Sequence, residues 1–131
     1  MPLGSPEAVE AMPEQALPPV EALALARLLL AQHRPFFAHD VLEAVWKARP
    51  GPERDLWQGL AQVCVGLTHA QRGNPVGAAR LLRRGAGLLR SYAGPTHEVD
   101  LAAVVRQAEH AAGAIEAGAL ETGAAVPAVH L

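Results

Sequence analysis

Proline and glycine cut this chain into helix-length pieces. Pro18-Pro19, Arg34-Pro35, Pro50-Gly51-Pro52, Gly73-Asn74-Pro75 and Gly94-Pro95 are turn or helix-start signals. Between them the apolar residues recur at steps of three and four. No stretch alternates in the manner of a strand. The pattern predicts five helices, over residues 19–33, 36–49, 52–72, 75–92 and 97–117. Thr96 stands where a cap for the last of them would sit. The fold class that follows is all-α: a single-domain bundle of about five helices built from antiparallel helical hairpins. Its core is expected to hold Trp46, Trp57, Leu60, Val63, Leu67, Leu81, Leu82 and Leu88. Residues 1–18 and 118–131 are rich in Ala, Gly and Pro without a period. They are expected to be flexible tails flanking a helical domain over 19–117.

Composition narrows the function classes. Of the 131 residues, 50% are hydrophobic, enough for one core and more than a bundle this small easily hides. That surplus favours a protein partner or a homodimer. The formal net charge of -2 argues against a globally basic nucleic-acid binder. The single cysteine, Cys64, cannot form an intramolecular disulfide, and between Val63 and Val65 it reads as a small buried hydrophobe. The apolar stretch from Leu23 to Ala31 is short and carries Arg27, so no membrane association is expected. With no basic, apolar leader at the start, the expected location is cytoplasmic.

Polar residues fall on stripes. On the second helix, His39, Glu43 and Lys47 recur at steps of four, with Asp40 beside them and Phe36 and Trp46 at the border. On the third, Arg54, Gln58, Gln62, Val65 and His69 form a second stripe. Gly59 and Gly66 weaken that helix, by about 1 kcal/mol each relative to Ala. They suggest a neighbour that comes close and a polar stripe that is packed. A buried Glu43 in such a setting needs donors, and its loss would cost roughly 1–3 kcal/mol. His39, Glu43 and His69 are also the residue types of a two-histidine, one-carboxylate site, so a divalent metal, with hydrolytic chemistry, is the alternative reading. A third reading comes from charge. Between Leu56 and His97 the chain has Arg72, Arg80, Arg83, Arg84 and Arg90 and no acid, a candidate surface for an anion or an acidic partner. Nucleic acid is disfavoured there, because no stacking aromatic is interleaved with the arginines.

The ordered series His39-x-x-x-Glu43-x-x-Trp46, Arg54-x-x-x-Gln58-Gly59 and His69-x-x-x-Gly73-Asn74-Pro75-x-Gly77-Ala78 resembles a bacterial and archaeal family of small helical proteins, domain of unknown function 309. The resemblance spans roughly residues 22–91. That family typically reads aromatic-Glu-Ala-His-Glu around its first histidine. Here Phe36-Phe37-Ala38-His39-Asp40 puts Phe37 in place of the acid. The resemblance implies a compact helical bundle with no assigned activity. It also implies that His39, Glu43, Trp46, Arg54, Gln58 and His69 form one polar cluster. The reading that follows is a non-enzymatic interaction or self-association module, with catalytic residues unassigned and no cofactor predicted.

A weaker signal is internal. Ala31-Gln32-His33-Arg34-Pro35 echoes Ala70-Gln71-Arg72-Gly73-Asn74-Pro75, as two helical hairpins with the same turn chemistry would.

Overall fold

The computed structural model describes residues 16–131. All regular structure in them is helical: α1 (Pro19–Ala31), α2 (Pro35–Ala48), α3 (Arg54–Gln71), α4 (Pro75–Ser91), α5 (Leu101–Glu116) and a single turn, α6 (Ala119–Thr122). Each helix packs on the next in sequence, α1 on α2, α2 on α3, α3 on α4 and α4 on α5. Short connections make consecutive helices antiparallel. Among the described residues no helix is long and apolar enough to cross a membrane. The expected N-terminal tail lies largely outside the described residues.

Two of the turns are built alike. Gly73 has φ +73°, and Asn74 donates its backbone N–H to the carbonyl of His69 at 2.9 Å. His33 has φ +59°, and the Arg34 N–H reaches the carbonyl of Leu29 at 2.9 Å. In both, a left-handed residue ends one helix and a proline opens the next. The sequence echo is therefore turn chemistry, made twice.

The core runs through all five long helices, with Leu23, Leu29, Leu42, Leu56, Trp57, Leu60, Val63, Leu82 and Ile115 fully enclosed. Trp46, Leu67, Leu81 and Leu88 are only half-buried, and Leu89 takes the core position expected of Leu88. The reason is register. Leu82 and Leu89 stand two turns apart on the stripe that meets α3, along with Ala78 and Gly85. On that face α3 and α4 touch backbone to backbone. A Cβ on Gly85 would lie 2.7 Å from the Gly59 carbonyl oxygen, and one on Gly66 would lie 2.9 Å from the Leu82 nitrogen. The glycines do admit a close neighbour, as their positions suggest. It is α4, and not the helix that faces the polar stripe.

The fifth helix starts at Leu101, later than the pattern indicates. His97 and Glu98 adopt left-handed backbone, φ +51° and +67°, through which no right-handed helix can run. Asp100, not Thr96, is the cap, its carboxylate accepting the Ala103 N–H at 3.0 Å. The second departure is at the C-terminal end. Residues 118–131, expected as a tail, fold back on the bundle. Val129 is 3% exposed. Gln107 holds His130 by two hydrogen bonds, from the His130 N–H at 2.8 Å and to its carbonyl at 3.1 Å. The valines spaced along an Ala/Gly/Pro background supply an anchor that periodicity cannot reveal.

Candidate functional site

α2 and α3 lie side by side, so their polar stripes meet. Between them is a cavity of about 150 Å³ lined by His39, Glu43, Trp46, Gln58, Ala61, Gln62 and Val65. On α2, His39 Nε2 lies 2.6 Å from Glu43 Oε2, and Lys47 Nζ lies 2.6 Å from Glu43 Oε1. The three side chains form a ladder up one helix face. Its bonds hold the Glu43 carboxyl below the ordinary carboxylate value. The Lys47 hydrogen bond is the main cause, desolvation opposes it, and the charge of His39 and Lys47 reinforces it. Glu43 is one-third exposed, at 33%, rather than buried as the sequence suggests.

Arg54 enters through Trp46 and not through Glu43. Its guanidinium carbon stands 5.5 Å from the Trp46 ring centroid, a cation–π contact at the edge of the cavity. Three buried side-chain atoms among the described residues have no hydrogen-bond partner: His39 Nδ1, Trp46 Nε1 and Gln62 Oε1. All three residues line this one cavity. Asp40 Oδ1 approaches His39 Nδ1 to 3.4 Å, an ion-pair distance without hydrogen-bond alignment. Buried polar atoms are nearly always paired, because each orphan costs about 1–3 kcal/mol.

His69 does not join this group. Asn74 Oδ1 accepts the Gly77 N–H at 3.1 Å, which turns its Nδ2–H toward His69 Nδ1, also at 3.1 Å. A Cβ on Gly77 would meet both Asn74 and His69. The string His69, Gly73, Asn74, Pro75, Gly77 is thus the machinery of the α3–α4 turn. With His39 Nε2 spent on Glu43 and His69 Nδ1 on Asn74, the metal trio His39, Glu43 and His69 does not converge. Among the described residues no three His, Cys, Asp or Glu side chains are placed to hold a metal ion. The arginine surface is also partly occupied. Arg83 bonds Glu116 at 2.5 and 3.1 Å, Arg90 pairs with Glu109, and Arg72 stacks 5.4 Å from the exposed Phe36 ring. Arg80 and Arg84 remain as exposed charges. The acids that neutralise this face come from α5, beyond the acid-free stretch.

One polar cluster escapes the sequence reading. Glu53 Oε1 accepts from Trp57 Nε1 at 3.1 Å and lies 2.8 Å from His97 Nε2, and the His97 ring packs on Trp57 with centroids 5.6 Å apart. These bonds, His97 first, lower the Glu53 carboxyl. They pin the α4–α5 loop to the start of α3. The i,i+4 spacing of Glu53 and Trp57 was a legible hint. His97, 44 positions from Glu53, was not.

A compact all-helical domain, with its polar side chains gathered between the second and third helices, is the class these features define. Residues 23–81, from α1 into α4, match the profile of the family described as Domain of unknown function (DUF309), so the resemblance seen in the motifs holds over that segment. Every cavity residue lies within it. The chain is also similar to "Uncharacterized protein YpuF" of Bacillus subtilis (strain 168), 37% identical over 57 residues, which is 43% of this chain and 33% of that protein. The chain thus matches about one third of the length of this relative. No solved structure matches.

Proposed function

We propose that this domain is a non-enzymatic binding module that engages a protein partner, or a second copy of itself, through the α2–α3 cavity and its rim. One observation carries the reading: the three unpaired buried polar atoms belong to residues around one cavity. Folding alone has no use for that arrangement, since orphaned polar atoms destabilise the bundle. Each of the three atoms is shut off from the open space of the cavity, so a partner recovers that cost only by shifting the side chains that line it. The chemistry beside the cavity is quiet. Cys64 is buried, and desolvation pushes its thiol up to about 12, so it supplies no nucleophile. The metal-dependent alternative has the weaker support, because its ligand atoms are bonded elsewhere. The anion alternative rests on Arg80 and Arg84, now that Arg83 and Arg90 have carboxylate partners.

Ala61 is 5% exposed and lines the cavity, so Ala61→Leu fills it. Tagged wild-type and Ala61→Leu chains, expressed at native level in the source cell, are compared by co-purification and sedimentation. The reading expects one partner, or the dimer, to be held by the wild type and lost from a folded Ala61→Leu. Identical partners and identical mass in both would overturn it.

A further inference from the structure

We propose that the groove bounded by α1, α3 and α5 is a docking site for an extended segment of another protein, and that residues 126–131 of this chain occupy it as an internal competitor. The groove shares no lining residue with the α2–α3 cavity, so the proposal stands apart from the reading above.

The chemistry of the site is read from the segment that sits in it. Pro127, Val129 and Leu131 are wholly or partly covered, while Ala128 and His130 are exposed. That two-residue period is the mark of extended backbone. Gln107 on α5 accepts the His130 N–H at 2.8 Å and donates to the His130 carbonyl at 3.1 Å. One residue exchanging both bonds with one partner is how a β-strand pairs with its neighbour. Gln107 Nε2 also donates to the Ala103 carbonyl at 3.1 Å, which fixes the way its amide faces. Arg27 on α1 donates to the Leu131 backbone oxygen at 3.1 Å. All three bonds to the segment end on backbone, so they hold any residue except a proline in the place of His130, which would lack the N–H. Side-chain selection falls to Val129, 3% exposed.

The fit is incomplete. Beside the segment a cavity of about 450 Å³ remains, walled by Leu30, Pro35, Leu67, Ala70 and Val126. A segment that served only to close the core would pack to interior density. The space left over falls in the range of ligand sites. The segment hangs from the exposed link Gly123-Ala124-Ala125 and belongs to no helix. The occupant these features describe is an extended peptide, apolar at every second position and bulkier than the chain's own segment where the groove is open.

The test uses the full chain carrying Val129→Asp, which releases the segment, and a fluorescent peptide of residues 124–131 blocked at both ends. Saturable binding, followed by anisotropy, is expected. The wild-type chain should bind the peptide at least about tenfold more weakly, because its own segment competes at high effective concentration. Adding Gln107→Met to the Val129→Asp chain should weaken binding by at least about tenfold, for two lost bonds. A Val126→Leu peptide should bind about fourfold tighter, for one more buried methylene. If Val129→Asp does not fold, the wild type is titrated with the Val126→Leu peptide into the millimolar range. Displacement is then read as lost protection of the His130 amide by proton–nitrogen NMR. No binding to a folded Val129→Asp chain overturns the proposal, as does an unmoved His130 amide in the second format. A peptide that itself carries Val129→Asp and binds equally well overturns it too. A wild-type dimer in sedimentation that the peptide dissolves would give the groove to a second copy's segment and overturn the assignment to another protein. The Ala61→Leu comparison reads the other cavity, so the two proposals fail separately.

Discussion

Gly85 and Gly87 lie two residues apart in α4 and face opposite worlds, so the same substitution at each should act with opposite sign. A methyl on Gly85 would sit 2.7 Å from the Gly59 carbonyl oxygen and 3.0 Å from the Val63 nitrogen, both backbone atoms of α3. Neither can rotate away, so α3 and α4 must separate along the face that holds Val63, Leu82 and Leu89. Overpacking of this kind costs about 3 kcal/mol at the upper end of its range. Replacing a helical glycine by alanine returns about 1 kcal/mol. Gly85→Ala should therefore destabilise by about 2 kcal/mol, a fall in Tm of roughly 10 °C for a domain of this size. A methyl on Gly87 meets nothing within 4 Å. Gly87→Ala should stabilise by up to about 1 kcal/mol and raise Tm by about 5 °C. Thermal melts followed by circular dichroism, with urea titrations for the free energies, compare the two. A Gly85→Ala protein as stable as Gly87→Ala would refute the backbone-to-backbone packing of α3 on α4.

Other consequences follow from the polar groups. Glu43→Gln should cost less than about 1 kcal/mol at neutral pH, because the carboxylate is one-third exposed. Its folded-state carboxyl titrates below the unfolded value of 4.5, so that contribution is present above this value and lost as pH falls through the folded one. Melts of wild type and variant should differ at pH 6 and converge in acid; a gap that widens on acidification would contradict the assignment. Glu53→Gln should cost about 1–2 kcal/mol, with faster amide exchange over residues 92–100, since Glu53 anchors both Trp57 and His97. Unchanged exchange there would mean that the loop is held by something else. Cys64, fully enclosed, should react with a maleimide only at the rate of unfolding; rapid labelling of the folded chain would show that α3 opens locally.

The sequence was most informative where a rule is local. Prolines and glycines marked the turns, and the three-four period marked the core stripes, because both depend on neighbours within a few positions. It failed where the deciding partner is distant. Asp100 displaced Thr96 as a cap because the backbone at His97 and Glu98 turns left-handed, which residue types do not announce. Val129 reaches the core where Gln107 and Arg27 grip the backbone on its C-terminal side. In the site, the meeting of His39, Glu43, Trp46 and Gln58 was legible as two stripes on adjacent helices. His69 was misassigned because it shares a stripe with Gln58, although it lies near the far end of α3 and serves Asn74. Gln62 was placed on the same stripe but left out of the cluster, since only the packed structure shows that its oxygen lacks a partner.

The claim that most needs testing is that the α2–α3 cavity is built to receive a polar group. A crystal structure of the full chain, at a resolution that orders small molecules, tests it directly. Trp46 Nε1, His39 Nδ1 and Gln62 Oε1 are expected to bond one bound group or ordered solvent there. Finding those three atoms bonded to one another or to neighbouring side chains, with α2 and α3 closed over the space between them, would contradict it.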